Sequence, residues 1–171
     1  MRESEAVTLV RATSNDAPLL GNLLELYIHD LSAMFPVELG VDGRFGYAKL
    51  PLYWQAPASR YAFLIKRGTR IAGFALAARG SQPSNAPQEL DVAEFFVLRA
   101  HRGAGVGRRA AFALWDELPG HWAVRVLAAN SALEFWRKVV REYTRNAFTE
   151  RVLEDARGPW RALTFTASRD R

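Results

Sequence analysis

One stretch constrains the chain more than any other. Glu89 to Leu98 is a β-branched and aromatic run, Arg99 to Arg109 follows as a basic segment with glycines at 103, 105 and 107, and Ala110 to Leu118 shows helical apolar spacing. The order is strand, glycine loop, helix. The first backbone N–H groups of such a helix have no intrahelical partner, and glycines let a ligand come close to them. The segment therefore reads as a cradle for an anion, most naturally a phosphate. Arg108 and Arg109 fall in the first helical turn, where a cation opposes the helix dipole. A bound pyrophosphate reverses that penalty, and Arg99 and Arg102 add to the same positive cluster.

The rest of the composition narrows the class. The chain has 171 residues, 49% of them apolar, which fits one domain over residues 1–171 with a real core. It has no cysteine, and its three histidines, His29, His101 and His121, lie far apart, so no metal is expected. The N-terminus from Met1 to Glu5 has no apolar region behind it, and no run approaches the roughly 18 apolar residues that cross a bilayer. A cytoplasmic protein without membrane contact is the expectation. The 23 Lys and Arg against 18 Asp and Glu leave a formal charge of +5, nearly all of it carried by arginine, which favours planar recognition of phosphate.

Along the chain, Val7 to Arg11 predicts a first strand, and Ser14 to Pro18 offers caps and a first-turn proline for a helix reaching about Met34. Leu20, Leu23, Leu24, Tyr27 and Leu31 form its apolar stripe. From Pro36 to Pro57 the pattern breaks into a long connection with room for one short helix. Tyr61 to Lys66 and Arg70 to Ala77 predict a hairpin, and Gly80 to Gln88 a polar loop delivering the central strand. Trp122 to Leu127 is a further strand, Ser131 to Val140 a helix, and Ala147 to Leu153 and Arg161 to Thr166 two last strands around a turn. The result is an α/β protein with a mixed sheet of about seven strands flanked by helices.

Two familiar phosphate loops do not fit. Both the P-loop and the dinucleotide fingerprint place a glycine five residues after Gly103, where this chain has Arg108. Arg102-Gly103-Ala104-Gly105-Val106-Gly107 instead resembles the Arg/Gln-x-x-Gly-x-Gly/Ala signature of the GNAT superfamily, the acyl-CoA-dependent N-acyltransferases. The setting matches too: the signature follows a fourth strand, and Asn130 to Lys138 resembles the family's Asn-x-x-Ala-x-x-Phe-Tyr-x-Lys segment, one residue shorter. The resemblance spans about residues 7 to 167. It implies acetyl-CoA as cosubstrate, held by Phe96, Val97, Leu98, Arg102, Gly103, Ala104, Gly105, Val106, Gly107, Arg108, Asn130 and Phe135.

Acyl transfer needs an amine relieved of a proton, a polarised carbonyl, and a protonated leaving thiol. Glu94 is the first choice of base, because the family places a carboxylate on the central strand and a glutamate in Val-Ala-Glu-Phe-Phe-Val is costly to bury without purpose or partner. A structural ion pair with an arginine is the competing reading of Glu94. Asp91, Glu38 and Asp42 are weaker candidates. The resemblance assigns carbonyl polarisation to the backbone N–H of Val97 or Leu98. Where the family commonly has an acidic tyrosine this chain has Trp136, whose indole is a donor but no useful acid. Tyr143 is the substitute, with solvent or loss of activity as the other possibilities. His101 reads as a solvent-facing loop residue.

For the acceptor, Phe45, Tyr47, Tyr53 and Trp54, with Tyr27 and His29 from the first helix, form a candidate wall for a small-molecule or peptide amine. The expected activity is N-acetyl transfer to a primary amine. The alternatives are an acyl-CoA-binding regulatory module of the same fold without catalysis, and a basic nucleic-acid binder, which is disfavoured by the lack of a reading helix or stacking motif. A homodimer stays open.

Overall fold

The computed structural model describes residues 5–80 and 86–169. The extreme N-terminus and most of the expected polar loop after Gly80, from Ser81 to Asn85, lie outside them. Seven strands form one sheet in the order β1-β2-β3-β4-β5-β7-β6: β1 (Val7–Arg11), β2 (Arg60–Arg67), β3 (Arg70–Arg79), β4 (Leu90–Val97), β5 (Gly120–Leu127), β6 (Phe148–Asp155) and β7 (Gly158–Ala167). Every neighbouring pair is antiparallel except β4 and β5, whose connection carries helix α3 (Val106–Glu117) as a crossover.

The helices cover both faces. On one, α3 and α4 (Ala132–Thr144) bury Leu114, Trp115, Trp136, Val140 and Tyr143 against Trp122, Val124 and Phe165 of the sheet. On the other, α1 (Ala17–Leu31) and the short α2 (Leu52–Gln55) bury Leu20, Leu24 and Tyr53 against Leu64, Phe74, Leu76 and Phe96. Three helix boundaries differ from the sequence reading. Helix α1 ends three residues before Met34, α3 begins at the glycine loop instead of at Ala110, and α4 runs on past Val140. Its stripe continues through Tyr143, and it stops where Arg145 takes a left-handed conformation with φ +52°.

Strand β4 contains the irregularity on which the site depends. Leu76 pairs with Glu94 and Ala77 with Val92, so Ala93 is an extra residue with no partner on β3. Leu90 and Val92 pack under α3 and α4, and uninterrupted alternation would send Glu94 after them. The bulge turns Glu94 and Phe96 to the α1 face instead, while Phe95 packs with the α3 and α4 cluster.

On its other edge β4 meets β5 only through Leu90 opposite Trp122 and Asp91 opposite Ala123. Beyond those residues the two strands separate, leaving a wedge between them. The β3 side of β4 stays closely joined: Gly73 faces Val97, and a Cβ at Gly73 would lie 1.9 Å from the Phe96 carbonyl oxygen. Gly73→Ala should therefore force β3 and β4 apart and cost about 1–3 kcal/mol, read as a lower urea midpoint. An unchanged midpoint would show that this close approach imposes nothing.

Candidate active site

The wedge opens into a cleft of about 1820 Å³ bounded by β4, β5, the end of α1, the glycine loop and the start of α4. At one end Gly103 and Gly105 have left-handed backbones, with φ +78° and +72°, and nothing stands within 4 Å of where their Cβ atoms would be. Gly105 is the N-cap of α3, and the side chain of Val106 is buried beneath the loop, so the loop presents backbone to the cleft. These glycines suit a phosphate that must approach the helix N-terminus. Gly107 has a different task. It sits inside the first turn of α3, and a Cβ there would lie 3.1 Å from the Phe135 ring, so the glycine permits close approach of α4.

The loop arginines already have partners. Arg99 and Arg102 both reach Asp30 at the end of α1, at 2.6 and 3.0 Å, and Arg102 Nε also donates to the Val97 carbonyl at 2.7 Å. Partial burial works against the charge on Asp30, but the two guanidinium groups outweigh it and hold its pKa below the usual carboxylate range. Arg108 donates from Nε to Glu142 of α4 at 2.9 Å and lies over the Phe112 ring. Arg109 donates to the Ala104 carbonyl at 2.9 Å. The penalty of cations in the first turn is thus met by carboxylate and carbonyl oxygens around the loop. His101, expected to face solvent, is half-buried, with its Nδ1 enclosed.

At the wedge itself, Leu98 N–H is already spent on the Ala72 carbonyl at 2.8 Å, which removes it as a polarising donor. Phe96 aims its carbonyl at β3 and its ring into the α1 core beside Phe74 and Tyr27. Ladder alternation then turns Val97 N–H and C=O away from β3, toward the wedge. Across it, Phe135 and Trp136 of α4 line the cleft, and Asn130 Oδ1 accepts the Ala132 N–H at 2.8 Å to cap that helix.

Glu94 lies in the same cleft and is half-buried on the α1 face. Tyr47 donates to its Oε1 at 3.0 Å, and the Tyr27 hydroxyl also faces it. Burial raises the Glu94 pKa above the ordinary carboxylate value, against the pull of the two phenols and of Lys49. Burial and the neighbouring carboxylate push the Tyr47 pKa up as well, so its proton stays on oxygen as a donor. Tyr47 is placed by α1: Glu25 accepts the backbone N–H groups of Phe45 and Gly46 at 2.7 and 2.8 Å, pinning the end of the long connection. The arginine ion pair considered for Glu94 belongs to Asp91 instead. Asp91 is 3% exposed and accepts Arg125 Nε at 3.2 Å, with a second contact through Nη2.

The sequence reading of Tyr143 is not met by its surroundings. Its ring is buried among Phe112, Trp115 and Phe165 and its hydroxyl donates to Asp116 at 2.9 Å, inside the α3 and α4 layer, and it does not itself line the cleft. Of the expected acceptor wall, Tyr27, Phe45 and Tyr47 line the cleft, whereas Tyr53 is core and Trp54 and His29 do not reach it; of the weaker base candidates, Asp91 and Glu38 line it and Asp42 does not. Arg125, Trp160, Arg157 and Phe35 were missed. The one available signal was an arginine within the apolar run from Trp122 to Leu127. Among the described residues no cluster of His, Asp and Glu could hold a metal, and no helix is long and apolar enough to cross a membrane.

Comparison with known proteins bears on this geometry. A family described as the acetyltransferase (GNAT) family matches residues 23–140. No curated protein matches. Among solved structures, an acetyltransferase from Thermus thermophilus is 20% identical with TM-score 0.64, over 95% of this chain and 98% of that one. The aminoglycoside acetyltransferase AAC(6')-Ib in complex with coenzyme A is 16% identical, with TM-score 0.65 over 94% and 95%. A ribosomal L7/L12 alpha-N-protein acetyltransferase in complex with coenzyme A is 15% identical, with TM-score 0.63 over 96% of each chain. At these identities the likeness is one of fold.

The Glu94 environment makes a prediction independent of any ligand. A carboxyl whose pKa is higher folded than unfolded binds more protons when folded, so stability falls as pH climbs from about 4.3 to the raised value and the loss then persists. Relative to the wild type, Glu94→Gln should therefore gain stability as the pH rises from about 4 to neutrality in urea titrations. A difference that stays constant with pH would overturn the assignment of a raised pKa.

Proposed function

The chain belongs to the GNAT acetyltransferase family, and on that premise we propose that it transfers an acetyl group from acetyl-CoA to a primary amine by direct attack, with Glu94 as general base. The observation that carries the reading is the position of Glu94, a half-buried carboxyl of raised pKa in the same cleft as the glycine cradle and the β4–β5 wedge. Acetyl-CoA supplies the acyl group as an activated thioester. The open backbone of Gly103 and Gly105 at the start of α3 suits its pyrophosphate, with Ala104 and Val106 contributing backbone and Arg102 and Arg108 charge. Phe96, Val97, Leu98, Asn130 and Phe135 would flank the pantetheine arm.

Glu94 takes the proton of the attacking amine, directly or through water, and Tyr47 holds the carboxylate in position. A base with a pKa above the ordinary carboxylate value is better matched to neutral pH than an exposed glutamate. The Val97 N–H is the donor we assign to the carbonyl oxygen, since Leu98 N–H is committed to Ala72. With Trp136 in place of an acid and Tyr143 sealed in the core, the departing sulfur is protonated from solvent. The similar proteins include an aminoglycoside and an alpha-N-protein acetyltransferase, consistent with a small-molecule or peptide amine here.

The same Trp136 substitution favours a second reading, a CoA-binding module without turnover. Titration of acetyl-CoA followed by thiol release over an amine panel separates the two: tight binding without release selects the module. Two variants test the parts. Gly105→Val should weaken CoA binding about 100-fold, or roughly 2.7 kcal/mol, with far-UV circular dichroism unchanged; undiminished affinity would remove the glycine cradle from the account. Glu94→Gln should lower kcat by about 10²–10⁴ and abolish the acidic limb of the kcat/KM profile while leaving CoA affinity alone. A retained limb removes Glu94 as base.

A further inference from the structure

Arg125 has no role in the reaction described above, yet it is among the most deliberately placed cations in the cleft. Along β5, Trp122, Val124 and Val126 enter the α3 and α4 core, so Arg125 stands on the opposite face, the one that carries Glu94. Asp91, on β4 where the two strands stop pairing, takes its Nε and Nη2 edge. That side-on pairing leaves Nη1 without a hydrogen bond among the described residues, and the side chain is 29% exposed along the cleft wall. Such a buried ion pair contributes little net stability over apolar packing. What it does provide is a guanidinium held rigidly with one edge open, a geometry matched to a planar carboxylate.

The surroundings point the same way. Glu94 is close enough to Asp91 for that charge to help raise its pKa, so the base and the arginine serve one small region. Lys49, Arg60 and Arg157 also line the cleft, against Glu38, Asp91 and Glu94. Trp160 closes the far side, stacked on Phe35 with ring centroids 6.4 Å apart and covered by Arg157 at 4.6 Å. A cleft with this balance favours an acceptor with an anionic group over a polycationic amine.

We propose that the acceptor is an amino acid, an amine that carries its own carboxylate, with Arg125 binding the carboxylate while Glu94 receives the amine proton. Asp91 is the positioning residue that orients Arg125. The proposal rests on the acetyltransferase reading above, and the bonds are the same: N–C forms, C–S breaks, one proton passes to Glu94 and solvent returns one to sulfur.

The test compares free L-amino acids, their carboxamides and the corresponding decarboxylated amines as acceptors, by thiol release from acetyl-CoA. The acids should exceed both analogues in kcat/KM by about 100-fold. Arg125→Gln should bring that ratio near unity while CoA affinity, measured by calorimetry, is unchanged. Should the single variant fail to fold with Asp91 left unpaired, the double variant Asp91→Asn/Arg125→Gln buries no lone charge and carries the same expectation. Amides or simple amines turned over as fast as the acids, or a preference that survives loss of Arg125, would overturn the proposal while the acetyltransferase reading stands. Turnover with no amine at all overturns both.

Discussion

The parting of β4 from β5 is the constraint to which the rest of the structure answers. Two parallel strands that pair only through Leu90 and Asp91 leave the inner edge of the sheet with unpaired backbone groups in a protein interior. Such groups are costly unless a partner is supplied. The fold keeps the wedge from collapsing by anchoring each strand on its outer side. Beyond β4, the Gly73 contact and the Leu98 to Ala72 bond lock it to β3, while β5 pairs with β7 along its whole length, from Gly120 opposite Ala167 to Leu127 opposite Trp160. Each strand is held on its outer side, so the gap between them is part of the fold.

Charge follows the same logic. Four arginines at the cleft are tied to carboxylates on other elements: Arg99 and Arg102 to Asp30 of α1, Arg108 to Glu142 of α4, Arg125 to Asp91 of β4. The exposed pairs add little stability individually. Their collective effect is to hold cationic groups in fixed places around the cleft.

What was legible in the sequence was whatever depends on neighbours along the chain. Periodicity located all seven strands, and the glycine loop was legible because glycines at 103 and 105 answer to backbone conformation, a local property. What was not legible depends on partners far along the chain. The bulge at Ala93 exists only relative to β3, so the residue that aims Glu94 carries no sign of it. Tyr143 continues the apolar stripe of α4, and only the packing shows its hydroxyl meeting Asp116 across the layer. Leu98 and Val97 look equivalent in the sequence and differ because one N–H finds Ala72.

The two bonds from Glu25 to the backbone of Phe45 and Gly46 have a consequence for how such a protein can change. They divide the long connection into a fixed end and a variable one. Tyr47, and with it the orientation of the Glu94 carboxyl, is referenced to α1, while Pro36, Val37 and Glu38 upstream complete the cleft wall. Insertions or deletions in that upstream stretch alter the shape of the cleft without passing displacement to Glu94. The outline of the cleft and the setting of its carboxyl are thereby mechanically separable, and one can drift while the other is kept.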